Sequence, residues 1–465
     1  MFKLKQNNTT VRTELVAGIT TFMAMAYILM VNAGMFSTLG GDALGASYYN
    51  AVYIATALSA VFGTLLIGLL SNLPLAQASG MGLNAFFVYS VCIGMGFTYA
   101  NALVMVLVDG IVFLLLTVTG LRRLIFDAIP KAVKAAIAPG IGLFIAFLGL
   151  QNSGIVVNSD STLVDLHSFN IIFGHTTWAE IMPLLITIAA LIAIGAMSKK
   201  KIKGAVFWGI IGGAVLYYAL GLLTIDGFYA SNVQSKLSLN IIQPFRDFFN
   251  ISFGKVFTEG FNFSEYIAAN GVGRFAAKFI ASMLAFCMVD MFDTLGTLYG
   301  ACSAGNLLDK DGNVPNMNKA MFADAAATCF GAVCGTSTVT TFVESSAGIA
   351  EGGKTGLSSV FTAAMFFIAM FLAPIPSCAT AASLIFVGIL MIGGVKEIDW
   401  SDASAAVPAF MTMAIMPFTY NISYGIAFGL ISYIFIKLFT GKIKDISLST
   451  WIIGILFAAM FFIAR

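Results

Sequence analysis

Long apolar runs, broken by short polar or glycine-rich stretches, set the plan of this chain. They fall near residues 15–37, 50–72, 81–95, 100–119, 131–150, 176–197, 203–224, 273–302, 319–334, 344–352, 356–376, 379–393, 403–419 and 422–440. Most are long enough to cross a hydrocarbon layer of about 30 Å as helices. Segments 81–95 and 344–352 are too short, and each is preceded by a run that reads as extended chain, PLAQASGMG and GTSTVTT. The second run is β-branched, and two such runs can pair as a small sheet at mid-membrane, where unpaired backbone is costly. A further apolar run, 448–464, reads as an interfacial helix or an extra span, with the interfacial reading preferred.

The expected fold is an all-α polytopic membrane protein of 14 transmembrane segments, seven on each side of a long connection. An odd number per half orients the halves oppositely, as a 7+7 inverted repeat with half-helices at segments 3 and 10. Charge placement agrees with this plan. With the N-terminus cytoplasmic, Lys3, Lys5, Arg12, then Arg122, Arg123, Lys131, Lys134, then Lys199, Lys200, Lys201, Lys203 share one side. Lys310, Lys319, Lys354, Lys396, Lys437, Lys442 and Lys444 continue the pattern in the second half. External positions hold far fewer, chiefly Lys236, Arg246, Lys255, Arg274 and Lys278 in and next to the 225–272 connection, which is rich in phenylalanine and is expected to lie along the external membrane surface.

Composition excludes a water-soluble alternative: 465 residues, 59% hydrophobic, 10% charged, mean hydropathy +0.93. The net charge of +2 is scattered, so no nucleic-acid partner is implied. Six cysteines show no metal or haem spacing and read as small buried hydrophobes. No HExxH, histidine cluster or serine–base arrangement is present, and His167 and His175 fall in an expected external loop. Neither an enzyme, a metal nor a cofactor is expected.

The candidate chemistry is acidic. Asp293 in FCMVDMFDTLGTL and Glu344 in GTSTVTTFVESSAG lie in or against segments apolar enough for lipid, where a carboxylate usually marks a pathway or a binding site. Asp290, Asp293 and Thr297, three and four residues apart, share one helical face that is expected to look into the bundle. Both short helices should start near the bilayer centre with free N–H groups, and Asn84 and Glu344 fall near those first turns. Either residue can also be a plain helix cap. Gly80 and Gly82 allow close approach to the backbone. Asp290 reads equally as a pocket residue or a structural partner, and Asp324, at the start of the ninth segment, as a relay carboxylate or a cap. Asp109 reads as structural, and Phe86 or Phe342 as a ring that can stack on a planar ligand.

The stretches QASGMGLNAFF, AIAPGIGLFIAFLGLQNSGIV, VDMFDTLGTLYG and GTSTVTTFVESSAGIAEGGKTGLSS resemble the azaguanine-resistance-type (AzgA-like) adenine, guanine and hypoxanthine permeases. These are nucleobase:cation symporters related to the uracil and xanthine permeases, and the resemblance runs over about residues 10–440. It implies a core domain from 1–125 and 273–376, a gate domain from 126–225 and 377–440, an external connection at 226–272 and a tail at 441–465. It implies purine nucleobase import by proton symport, the core moving against the gate, in the cell membrane with both termini cytoplasmic. Homodimers recur among such relatives. Carried over by motif, the substrate-binding residues are Gly82, Asn84, Asp293, Thr297 and Glu344, and the proton-coupling candidates are Asp293, Glu344, Asp324 and Asp290. The sequence departs from the family at Ser79, where a proline commonly precedes GMGLN. Alternatives are a xanthine or uracil permease of the same fold, sodium coupling, a passive channel, or an anion carrier of the same fold, which would want a cation where Glu344 stands.

Overall fold

The computed structural model describes residues 2–119, 129–171, 174, 176–200, 202, 204–229, 242–305, 307–309, 314–371 and 377–463. Arg122, Arg123, His175, Lys201, Lys203, Lys236 and Lys310 lie outside these residues, as do the divisions drawn at 125–126 and 376. Among the described residues, eight helices are long and apolar enough to cross a membrane, and four more apolar helices are shorter.

The first half opens with α1 (Val11–Met25) and α2 (Tyr27–Ser37), which continue one another through a break at Ala26, and then α3 (Gly41–Ser71). Strand β1 (Gln77–Ser79) leads into the short α4 (Met81–Gly94), whose second part is wound as a π-helix. Next come α5 (Tyr99–Thr119) and α6 (Lys131–Asn152). A hairpin of β2 (Val156–Ser159) and β3 (Leu163–Leu166) follows, then α7 (Trp178–Lys199) and α8 (Ala205–Thr224). The connection carries α9 (Ile242–Asp247), α10 (Lys255–Thr258) and α11 (Ser264–Asn270). The second half comprises α12 (Val272–Ala304), α13 (Met317–Cys334), β4 (Val339–Thr341), α14 (Ser345–Ala350), α15 (Gly356–Ala369), α16 (Ser377–Met391), α17 (Ala403–Thr419) and α18 (Ile422–Phe439). Last is α19 (Leu448–Ile463).

The two extended runs pair. β1 and β4 are antiparallel, with Gln77 opposite Thr341, Ala78 opposite Thr340 and Ser79 opposite Val339, all buried. Such a two-stranded sheet has two open edges, each a row of polar groups that hydrocarbon will not satisfy. Both edges are closed by a threonine from the helix before the strand. Thr64 of α3 donates its hydroxyl to Gln77 O at 3.0 Å and accepts Gln77 N–H at 2.9 Å. Thr328 of α13 donates to Val339 O at 3.0 Å and accepts Val339 N–H at 3.3 Å. The same device thus stands at corresponding places in the two halves.

Behind the strands, small polar side chains form a buried network. Asn32 donates to Thr56 Oγ1 at 2.7 Å and to Thr336 Oγ1 at 2.9 Å, and the Ser79 hydroxyl lies 2.7 Å from Thr336 Oγ1. The serine that replaces the expected proline is therefore bonded into the fold.

Helices sort into two packing groups. α3 packs on α2, α13 and α15, α5 on α13, and α1 on α15; separately, α6 packs on α16 and α17, α17 on α18, α7 on α8, and α16 on both α7 and α8. Close crossings need small residues: Gly68 of α3 and Gly356 of α15 meet backbone to backbone, so that a Cβ on Gly356 would lie 1.9 Å from Gly68 O. In lipid such approach supplies the dispersion contact that holds helices together.

Three expectations change. The last apolar helix is not flat against the bundle: α19 runs antiparallel along α18, with Phe461 against Tyr424 and Phe428 at one end and Gly454 against Ile434 further along. Its apolar length matches the face of α18 and also reaches α12, which favours side-by-side packing over an interfacial position. Residues 242–270 are more than a surface strap, because Asp247 accepts from Asn50 Nδ2 at 2.8 Å and Asn101 Nδ2 donates to Gly260 O at 2.7 Å, tying the strap to α3 and α5. The loop of 153–177 holds the unforeseen β2–β3 hairpin, with His167 at its end bonded to Ser168 O.

Candidate functional site

The C-terminal end of β4 and the start of α4 border a cavity at the junction of the two helix groups. It is lined by Tyr27, Met81, Gly82, Val289, Asp293, Thr297 and residues 341–344 on one side, and by Ile141, Ile145, Val387 and Met391 of α6 and α16 on the other. Mostly apolar walls with two carboxylates, a tyrosine and two threonines suit a flat, partly polar ligand. No cationic side chain is among the lining residues.

The helical spacing on α12 brings Asp293 and Thr297, but not Asp290, to this cavity. Thr340 of β4 donates to Asp293 Oδ2 at 3.1 Å. Glu344 stands at the N-cap position of α14, yet its side chain makes no cap bond; Tyr27 donates its phenol to Glu344 Oε1 at 2.7 Å. Gly82, in the first turn of α4, lies on the wall with no side chain between backbone and void. Phe342 borders the cavity, whereas Phe86 is fully buried and meets Phe286 edge-on at 4.9 Å.

Other expected site residues lie elsewhere. Asn84 is fully buried off the cavity wall, its Nδ2 donating to Ser79 O at 3.3 Å and its Oδ1 accepting from the Ser337 hydroxyl. In the first helical turn its side chain points back toward the strand end, so it braces β1 against the 336–337 turn. Asp290 is buried and absent from the lining, because one turn along α12 carries it past the cavity. Asp324 does not begin a helix: α13 starts at Met317 after Asn316, and Asp324 is fully buried in its middle. Its carboxylate accepts from Thr294 Oγ1 at 2.9 Å, Gln77 Nε2 at 3.1 Å and Thr341 Oγ1 at 3.4 Å. Asp109 is buried on α5, beside Gly110, whose face meets Cys329 of α13.

The expectation of free N–H groups does not hold at α14. α14 has only six residues, and Ser345, Ser346 and Ala347 give their N–H groups to the carbonyls of Phe342, Val343 and Glu344. A tight turn of this kind leaves little dipole to aim at a ligand. Among the described residues no group of three or more His, Cys, Asp or Glu can hold a metal ion.

Two residues that the sequence did not single out are central. Tyr27 is one. The other is Glu14, fully buried in the first turn of α1, which accepts Lys354 N–H at 3.1 Å, Ser358 N–H at 3.2 Å and the Ser358 hydroxyl. It thereby caps α15 from another helix.

The sequence matches the family model described as Permease family (Xan_ur_permease) over residues 12–428. The chain belongs to this family of permeases. Among its relatives, Guanine/hypoxanthine permease PbuO of Bacillus subtilis (strain 168) is 36% identical, covering 100% of each chain. Adenine permease AdeQ of Escherichia coli (strain K12) is 35% identical, covering 98% of this chain and 94% of its own. In fold, the permease is similar to the transmembrane domain of the cyanobacterial bicarbonate transporter BicA, with TM-score 0.61, 16% identity and coverage of 89% and 97%. This multi-pass permease is thus a membrane transporter and not an enzyme.

Proposed function

We propose that the permease imports purine nucleobases (adenine, guanine or hypoxanthine) by proton symport, with Asp293 and Glu344 facing one bound base. The observation that carries this is the shared cavity: two carboxylates from different elements border one mostly apolar void between two helix groups. A purine edge offers N–H donors to such acceptors, its faces fit between Phe342 and the apolar wall of α6 and α16, and first-turn N–H groups beside Gly82 can donate to its ring nitrogens. Thr297 completes the polar rim. The relatives named for adenine and for guanine and hypoxanthine support this substrate class.

In this reading Asp293 or Glu344 loads a proton together with the base and releases it when the cavity opens inward. Asp324 and Asp290 stand behind as further proton sites. The helix group of α1–α5 and α12–α15 is the moving core, and that of α6–α8 and α16–α18 the gate, in a fourteen-segment inverted repeat with cytoplasmic termini in the cell membrane. The matched threonine closures at β1 and β4 support that repeat. An anion carrier is disfavoured, because acidic groups without a facing cation would repel its cargo.

Uptake of radiolabelled adenine, guanine, hypoxanthine, xanthine and uracil in cells, with Asp293→Asn and Glu344→Gln, tests the site. Loss of purine uptake in both variants with protein retained in the membrane is expected. Accumulation that survives a protonophore but vanishes without sodium would overturn proton coupling.

A further inference from the structure

We infer that Tyr27 is the positioning residue for Glu344: its phenol fixes one carboxylate oxygen so that the other meets a substrate N–H. This rests on the purine site proposed above. Glu344 sits on α14, a helix of six residues that cannot hold a shape alone, and its side chain makes no cap bond there. Its carboxylate needs an outside support.

That support is α1 with its continuation α2. Three contacts run along one line: Glu14 holds Lys354 and Ser358, Ala17 and Thr21 lie against Gly348, and Tyr27 reaches Glu344. A Cβ on Gly348 would lie 2.0 Å from Thr21 Oγ1 and 2.5 Å from Ala17 O, so the short helix is pressed on α1 with no slack. Tyr27 is fully buried at the first position after the break at Ala26, and both Tyr27 and Glu344 border the cavity. A buried phenol with one strong acceptor is a fixed reference point. With Oε1 occupied at 2.7 Å, Oε2 is the oxygen left for the ligand.

The experiment is uptake kinetics with radiolabelled guanine in Tyr27→Phe, which keeps the ring and removes one oxygen, beside Glu344→Gln. Tyr27→Phe is expected to raise KM about tenfold, the order of one lost hydrogen bond to a charged group, while maximal rate per membrane-inserted transporter and melting temperature in detergent hardly change. A structural tyrosine would instead lower the melting temperature and the amount of inserted protein at unchanged KM. A KM within twofold of the parent, alongside a disabling Glu344→Gln, overturns this inference alone. A silent Glu344→Gln overturns the purine site and the inference together.

Discussion

Thr340 and Thr341 are neighbours on β4 that serve carboxylates on opposite sides of the strand: Thr340 donates to Asp293 at the cavity, and Thr341 donates to buried Asp324 behind it. Alternation along an extended strand produces this split. Valine replaces threonine with equal volume and no hydroxyl. Thr340→Val is therefore expected to raise the KM for purine more than Thr341→Val does, and Thr341→Val to lower the melting temperature more. Each effect is about 1–2 kcal/mol, or a factor of about five to thirty where it shows in KM. Uptake kinetics and thermal melts on both variants read the difference.

Asp324→Asn should injure the fold where Asp293→Asn injures transport. Asp324 receives hydrogen bonds from Thr294, Gln77 and Thr341, so an amide there brings two more donors into a site that already holds three. Each donor left buried without a partner costs about 1–3 kcal/mol. Size-exclusion profiles in detergent are expected to show aggregation for Asp324→Asn and a single sharp species for Asp293→Asn.

Glu14→Ala is expected to destabilise the protein strongly, although residue 14 is far along the chain from the site. It strips the acceptor from two backbone N–H groups and the Ser358 hydroxyl at the start of α15. The cost is again about 1–3 kcal/mol for each buried donor. Glu14→Gln, which keeps an acceptor oxygen, should fall between, as measured by melting temperature.

Gly356→Ala meets Gly68 O at 1.9 Å and Gly68 Cα at 2.9 Å, both backbone atoms that cannot rotate away. The helices must part, at about 1–3 kcal/mol for overpacking. Lower yield of folded protein is expected, while Gly393→Ala, where no atom lies within 4 Å, should be tolerated.

Xanthine should compete with guanine uptake weakly. It carries a carbonyl where guanine carries an amino group, and a carbonyl facing Asp293 or Glu344 leaves a buried acceptor unpaired at about 1–3 kcal/mol. Equal inhibition by the two bases contradicts a site built on acceptors.

Much of this architecture can be read from residue order, for identifiable reasons. Segments too short to span, each behind an extended run, announce β1 with α4 and β4 with α14. The cost of a carboxylate in lipid singles out Asp293 and Glu344. What stays hidden depends on pairings across the halves. Asn84 looks like a ligand group until Ser337, 253 residues away, is seen to occupy it. Tyr27 is one of 14 tyrosines, and nothing local distinguishes it. Glu14 resembles an ordinary first-turn acid, since only the fold brings Ser358 to it. The direction of α19 follows from its match to α18, which hydropathy alone does not encode.

The partner of β1 is made late: Gln77 and Thr341 are separated by 264 residues. During synthesis Thr64 can answer Gln77, but the groups that later pair across to the second half, Ala76 O with Phe342 N–H and Gly80 N–H with Thr338 O, enter the bilayer unanswered, at several kcal/mol for each in hydrocarbon. The nascent N-terminal half must wait in a shielded setting, beside the insertion machinery or in water, until the ribosome has delivered its complement. The two halves expressed as separate polypeptides are each expected to be degraded, and to be rescued when produced together.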